Sequence, residues 1–229
     1  MNSARRVNRC DLTPTLRSGS DERISPRDRL SRLLCASANT HKLSEIRAIL
    51  ADLPLEILSL EDFPGLSLPP EDGSSYAENA LLKARAAFLA TAIPAFGDDT
   101  GLMVEALSGA PGLYSNRYAA DDPARRRKLL LALASLPSEE RRAVFHCTIA
   151  FVWAGGEETF TGLVEGIITE SERGGGGFGY DPLFLIPAIN RTYAEMSNTE
   201  KNHCSHRAAA LRFFRSWLEG SGLLQTPPA

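Results

Sequence analysis

The chain has 229 residues, 25 Lys and Arg against 28 Asp and Glu, a formal charge of −3 and 43% apolar residues. That suffices for one large domain or two small ones around a sizeable core. The charge excludes a globally basic nucleic-acid binder, the absence of any apolar run near ~20 residues excludes a membrane span, and the composition excludes collagen, coiled-coil and fully disordered classes.

Residues 1–28 are rich in Arg, Ser, Asp and Pro, show no periodicity and read as a disordered extension. Four acids among the first 30 residues argue against a transit peptide, and no apolar stretch marks a secretory signal. The first 30 residues hold seven Arg, which leaves 18 of the 25 bases and 24 of the 28 acids for the body, a balance of −6. An acidic body that binds a polyanion needs its cations gathered in one place, or a metal ion. Four cysteines, at 10, 35, 147 and 204, form no CxxC pair and read as reduced thiols of a cytoplasmic protein.

Order begins near Leu30, and the expected organisation is one domain over 29–222 with a flexible tail at 223–229. The apolar run 33–36 reads as a strand that passes through the polar turn SANTHK (37–42) into a helix striped by Leu43, Ile46, Ile49, Leu50 and Leu53. Residues 55–60 read as a second strand and 63–73 as a Pro/Gly loop. Ser75 and Glu78 frame a capping box, followed by a helix whose buried stripe is Ala77, Ala80, Leu81, Ala84 and Phe88. Residues 94–97 lead into Asp98-Asp99-Thr100-Gly101, ahead of a strand at 102–107. Asp122 caps a helix with Pro123 at its first position, ending before Pro137. Phe145, Cys147, Ile149, Phe151 and Trp153 alternate with period two, and Gly155-Gly156 turns that strand into a partner over 159–169. Glycines 174–179 precede an apolar strand at 183–186, and the chain closes with a helix that begins at a second capping box, Ser197 to Glu200. Mixed strands and helices with one long hairpin predict an α/β fold on a mixed sheet.

Five constellations carry chemistry. The turn Ser37, Ala38, Asn39, Thr40, His41 and Lys42 presents backbone N–H groups, a helix start and an ammonium to an anion, although Ser, Asn and Thr also suit any N-cap. Asp98 and Asp99 are adjacent carboxylates beside apolar chain, where a hard cation such as Mg²⁺ would relieve their repulsion; an ordinary acidic turn is the plain alternative. Tyr76, Asn79 and Lys83 share one helix face, either towards a nucleotide or towards solvent. Phe178, Gly179, Tyr180 and Asp181 combine stacking surfaces, close backbone approach and a hydrogen-bond acceptor. Lys201, His206 and Arg207 gather cations near a helix start, where they lose dipole energy unless an anion is present. Only four of the 25 basic residues are Lys, at 42, 83, 128 and 201, and three of them fall in these constellations.

The order of SANTHK (37–42), SSYAENALLKARAA (74–87), FGDDTGLMVEALSGAPGLYSNRYA (96–119), FHC (145–147), GGFGYDPLF (176–184) and EKNHCSHR (200–207) resembles the inosine triphosphate pyrophosphatase family over about residues 30–220. The resemblance implies an elongated mixed sheet with flanking helices, two lobes with a central cleft, and a homodimer. It implies Mg²⁺-dependent hydrolysis of ITP, dITP and XTP to the monophosphate and pyrophosphate. It gives residues 37–42 and Lys83 to the triphosphate, Asp99 to general-base and metal duty with Asp98 beside it, and Thr100 to substrate contact. Phe178, Gly179, Tyr180, Asp181, Lys201, His206 and Arg207 then hold base and phosphates. Glu71 falls where relatives carry paired acids, but Pro70 precedes it here; Ala38 stands where a glycine is usual, and the family does not require the N-terminal extension.

Selectivity for a 6-oxo purine requires donors towards O6, which backbone N–H groups near 178–181 and the side chains of His206 and Arg207 would provide. Two rival readings are a pyrophosphatase of the related septum-inhibitor family acting on modified pyrimidine triphosphates, which the FGYD and SHR segments oppose, and a catalytically silent nucleotide-binding protein, which the intact Asp98-Asp99 pair opposes.

Overall fold

A computed structural model describes residues 29–224. The N-terminal extension read at 1–28, with Cys10, and residues 225–229 lie outside the described residues. The strands are β1 (Arg32–Cys35), β2 (Glu56–Leu58), β3 (Ala95–Val104), β4 (Arg142–Trp153), β5 (Gly156–Ile168), β6 (Phe184–Ile186) and β7 (Arg191–Thr192). They form one mixed sheet in the order β2-β1-β3-β4-β5-β6-β7. β1 pairs in parallel with β2 and β3, and every later pairing is antiparallel. The helices are α1 (Thr40–Ile49), α2 (Tyr76–Thr91), α3 (Asp122–Ala132), α4 (Asn198–Cys204) and α5 (His206–Ser221).

Local chemistry sets these boundaries. The Asn39 side chain accepts from Lys42 N and starts α1; Ser75 does the same for α2 through Glu78 N. α2 packs on β3 and β4 from one side of the sheet, and α5 packs on β4 and β5 from the other. Covered on both faces, β4 buries Phe145, Cys147, Ile149 and Phe151 towards one side and Thr148 towards the other, next to His146, which stacks on Tyr76 at 4.1 Å. Gly162 of β5 allows the close approach of α5, because a Cβ there would stand 2.1 Å from the His206 carbonyl oxygen and 2.4 Å from Ala210 N.

Among the described residues three apolar clusters form the interior; a small one joins Leu34, Ala36 and Ala95 to Ala87 of α2, and two larger cores share the long strands. Phe96, Ile149 and Phe151 pack with Leu33, Ile46 and Phe214 in one; Leu102, Val104 and Phe145 pack with Leu129, Phe184 and Tyr193 in the other. Full burial of each such side chain contributes about 1.5–3 kcal/mol. Residues 98–100 of β3 fall between the two cores, so the polar residues of that stretch occupy the seam, as a cleft between lobes requires.

The structure corrects four expectations. Asp98-Asp99-Thr100-Gly101 is not a turn: β3 runs unbroken from Ala95 to Val104 through it, because the antiparallel partner β4 matches it residue for residue. Asp121, not Asp122, caps α3, accepting from Ala124 N. The final helix is two helices broken at Ser205, whose N–H closes α4 on Lys201 O while its hydroxyl accepts from Ala208 N to open α5. Leu223 and Leu224, expected in the flexible tail, belong to the fold: Leu223 is buried and Leu224 bridges Leu30.

Candidate active site

The turn after β1, the middle of β3, the inner face of α2, the 178–181 segment and the α4–α5 junction converge on one cavity of about 440 Å³. Its walls include Ser37, Ala38, Asn39, His41, Lys42, Glu71, Lys83, Asp99, Thr100, Phe178, Gly179, Tyr180, Asp181, Lys201, His206 and Arg207. Of the predicted site residues, Thr40 and Asp98 do not line it. Thr40 is exposed at the first position of α1, and Asp98 is wholly buried behind the wall.

Successive side chains of a strand point to opposite faces, so the two carboxylates read as repelling neighbours have different surroundings. Asp98 faces α1 and α5. Its Oδ1 accepts from Lys42 Nζ at 2.6 Å and Thr100 Oγ1 at 2.8 Å, and its Oδ2 accepts from Arg207 Nε at 2.7 Å. Burial alone would raise its proton affinity, but Arg207 and Lys42 overcome that and hold it well below the usual carboxylate range. Asp99 faces α2. Its Oδ2 accepts from Asn79 Nδ2 at 3.2 Å, and its Oδ1 lies 3.5 Å from Lys83 Nζ. Here burial wins over Lys83 and Lys42, and the carboxyl is raised.

The line of Tyr76, Asn79 and Lys83 on α2 is buried, not solvated. Lys83 Nζ donates to Glu71 Oε1 at 2.6 Å and to the Asp98 carbonyl at 2.7 Å. Burial would discharge this lysine, but Asp99 and Glu71 outweigh it and raise its pKa. The same pairing, against burial, lowers Glu71. On the opposite face Glu45 joins two cations: it accepts from Lys201 Nζ at 2.7 Å and from Arg207 Nη1. Lys201 also reaches Asp181 Oδ2 at 2.5 Å and stands 4.7 Å over the Phe178 ring. Around the cavity, four cations (Lys42, Lys83, Lys201 and Arg207) meet five carboxylates (Glu45, Glu71, Asp98, Asp99 and Asp181), a balance of −1. The predicted cations are gathered, but each is already paired.

The 178–181 segment folds on itself. Phe178 N–H donates to Asp181 Oδ2, Gly179 N–H to Asp122 Oδ2, and Asp181 N–H to the Phe178 carbonyl. Of the four backbone N–H groups expected to serve O6, only that of Tyr180 has no partner among the described residues. A Cβ on Gly177 would lie 2.1 Å from Asp181 Oδ2, at a φ of +68°, so glycine is required for this fold-back. His206 is stacked on Phe145 at 4.4 Å and held neutral, first by burial and then by Arg207 and Lys201. Its buried Nδ1 has no partner. Such an atom is rare in a folded interior, and His206 lines the cavity.

Sequence reasoning missed Glu45, although its position three residues after Lys42 on one helix placed it on the same face. Ser115, which accepts nothing from the cleft but donates to Gly112 O and receives Leu102 N–H, and the Asp122–Arg125 pair also line the wall. No local pattern marked them, because they arrive through the loop and helix between β3 and β4.

Two carboxylates with one ammonium between them, Asp99 and Glu71 about Lys83, fit a hard divalent cation. Among the described residues no three His, Cys, Asp or Glu converge into a closed cage. That open donor set suits Mg²⁺, which takes one or two carboxylates and leaves its other positions to water and substrate phosphates.

Known proteins resemble this chain over most of its length. A dITP/XTP pyrophosphatase of Geobacter sulfurreducens is 48% identical over 198 residues, 85% of this chain and all of the relative. A dITP/XTP pyrophosphatase of Xanthomonas campestris is 47% identical over 188 residues, 80% of this chain and 94% of the relative. Among solved structures, a HAM1 protein from Coxiella burnetii superposes with a TM-score of 0.76 at 39% identity, covering 83% of this chain and all of that one. The Ham1 family pattern matches residues 33–217, and the chain belongs to the Ham1 family.

Proposed function

We propose that this chain is a nucleoside-triphosphate pyrophosphatase that hydrolyses the non-standard purine nucleotides ITP, dITP and XTP to the monophosphate and pyrophosphate. The observation that carries the reading is the convergence of every motif on one cavity, where a carboxylate of raised proton affinity, Asp99, lies beside the Lys83 ammonium, with Lys42 lining the same cavity. The names of the relatives supply the substrate class.

Asp99 acts as general base. Burial lifts its proton affinity towards the working pH, where a base is more effective, and Asn79 fixes one oxygen while the other, 3.5 Å from Lys83 Nζ, accepts a proton from water. Asp99 and Glu71 would hold Mg²⁺, which would supply charge neutralisation for the phosphates and the leaving pyrophosphate. Lys42 and Lys83 bind phosphate oxygens together with the N–H groups at the start of α1. Phe178 stacks on the base, and the orphaned His206 Nδ1 and the Tyr180 N–H meet its polar edge. An amino group at position 6 would leave those donors unpaired, which disfavours adenine. The homodimer belongs to the same proposal, and light scattering on the eluted protein checks it. So does a cytoplasmic setting, supported by unpaired thiols at Cys35, Cys147 and Cys204; no described helix is long and apolar enough to cross a membrane.

The test is pyrophosphate release from ITP, dITP, XTP, ATP and a modified pyrimidine triphosphate, with Mg²⁺ and with EDTA. The 6-oxo purines are expected to exceed ATP in kcat/KM by at least ~10²-fold, with EDTA abolishing turnover. A preference for the pyrimidine, or no release from any nucleotide, overturns the reading.

A further inference from the structure

α3 grips the purine-side segment by its backbone. Because Asp121 takes the N-cap, the Asp122 side chain is free to reach away from its own helix. Its Oδ2 accepts the Gly179 N–H at 2.7 Å, and its Oδ1 is held by Arg125 Nη1 at 2.5 Å. One helical turn on, Arg126 Nη1 donates to the Gly179 carbonyl at 3.0 Å, and Arg126 Nε lies 2.9 Å from Glu172 Oε1. Both polar groups of one glycine are therefore held by charged side chains of one rigid helix, and each of those side chains has a second partner. Gly179 itself sits at a φ of +61° with nothing within 4 Å of a Cβ position, so side-chain packing at that residue does not fix it. Phe178 and Tyr180 flank it, and both line the cavity.

We propose that Asp122 and Arg126 are positioning residues for purine selectivity: by clamping Gly179 from α3 they fix the Phe178 ring and the Tyr180 N–H before nucleotide arrives. This rests on the nucleotide reading of the same cavity. The clamp replaces what would be loop ordering on binding, and its contribution falls on base recognition; the groups assigned to the reacting phosphates, Asp99, Lys42 and Lys83, stand on other elements, β3, α1 and α2.

Two readouts test it. Amide exchange of the folded full-length protein without nucleotide reads the clamp itself: Asp122→Ala should speed exchange at Gly179 at least ~10-fold, while Asp122→Asn, which keeps an oxygen acceptor, should restore much of the protection. Steady-state pyrophosphate release reads the role. Asp122→Ala and Arg126→Ala should each raise KM for ITP about tenfold and narrow the ITP-over-ATP ratio, with kcat within about threefold of the parent. Arg127→Ala, exposed on the same helix, is the control and should change neither. Faster exchange with unchanged KM and selectivity overturns the proposal, as does a fall in kcat and thermal stability without loss of selectivity. If Asp122→Ala does not fold, Arg126→Ala and Asp122→Asn decide by the same measurements. A parent protein inactive on every nucleotide sinks the functional reading instead, and the exchange result still decides whether the clamp exists.

Discussion

The two faces of β3 give one residue type two characters. Asp98 and Asp99 are adjacent, both carboxylates, both more than nine-tenths withdrawn from solvent, at 0% and 6% exposure. On the α5 face, a guanidinium and an ammonium bind Asp98 directly, and its charge is locked in place. On the α2 face, Asp99 has only an amide at 3.2 Å and an ammonium at 3.5 Å that is shared with Glu71, and its charge is held less firmly. Burial raises the proton affinity of both; the opposite outcomes follow the cations each one meets directly, with Glu71 adding to the rise at Asp99. A locked charge is useful for architecture and a loosely held one for proton transfer. The pair therefore divides labour between holding the cations and using the water.

The largest test of that division is Asp99→Asn. The change keeps shape and removes the proton acceptor and the charge. Loss of general-base action alone is worth ~10²–10⁴ in rate, so kcat for ITP should fall by at least ~10²-fold. Stability should hold or rise slightly, because Lys83 keeps Glu71 and the Asp98 carbonyl as partners. Steady-state pyrophosphate release beside a thermal melt checks both. Near-normal kcat would place the base elsewhere and erase the contrast.

Asp98→Asn should fail differently. It strips Arg207, 1% exposed, and Lys42 of their common carboxylate. Removing one partner of a buried ion pair costs ~3–5 kcal/mol, which for a chain of this size is a drop of roughly 10 °C in Tm. Chemical denaturation gives the free energy. If Asp98→Asn leaves stability unchanged while abolishing turnover, Asp98 is the reacting carboxylate and the two roles are exchanged.

Much of this site was legible in the sequence, and the misreadings share a cause. Helix starts at Asn39, Ser75 and Ser197 were visible because capping is local chemistry, as was the alternation of Phe145 to Trp153. The alternative of a turn at Asp98-Asp99-Thr100-Gly101, ahead of a strand beginning at 102, follows from polar, glycine-closed composition. What made it a strand was β4, more than forty residues later, supplying partners for every position. With the strand comes the opposite orientation of the two carboxylates, which no local pattern reveals. Glu45 went unnoticed because its meaning depends on Lys201 and Arg207, brought to it across the sheet. The N–H groups of 178 and 179 looked available until the fold returned Asp181 and Asp122 to them.

The smallest expected effect compares a histidine from each face in mild acid. His206, at the start of α5, is held well below its ordinary pKa by burial, with Arg207 and Lys201 adding to the shift and Asp98 opposing it. His146, stacked on Tyr76 towards α2, is lowered by burial alone. The sign follows from proton counts. Above the ordinary value of 6.5 neither the folded nor the unfolded chain protonates these rings, and stability is at its full level. As pH falls below 6.5 the unfolded chain binds a proton that the folded ring refuses, so stability drops until the folded pKa is reached. Each such ring adds a slope of at most ~1.4 kcal/mol per pH unit. The window is longer for His206, whose depression is the greater. Urea unfolding of the parent between pH 7.5 and 5.5 should therefore show a falling ΔG. His206→Gln should flatten that fall more than His146→Gln does, whatever absolute stability each variant loses through its missing ring stack. The slope, unlike the absolute value, is insensitive to packing lost at every pH alike. Equal slopes in the parent and His206→Gln would mean that the imidazole protonates in the folded protein, and that the α5 face tolerates one more positive charge beside Arg207 than its geometry implies.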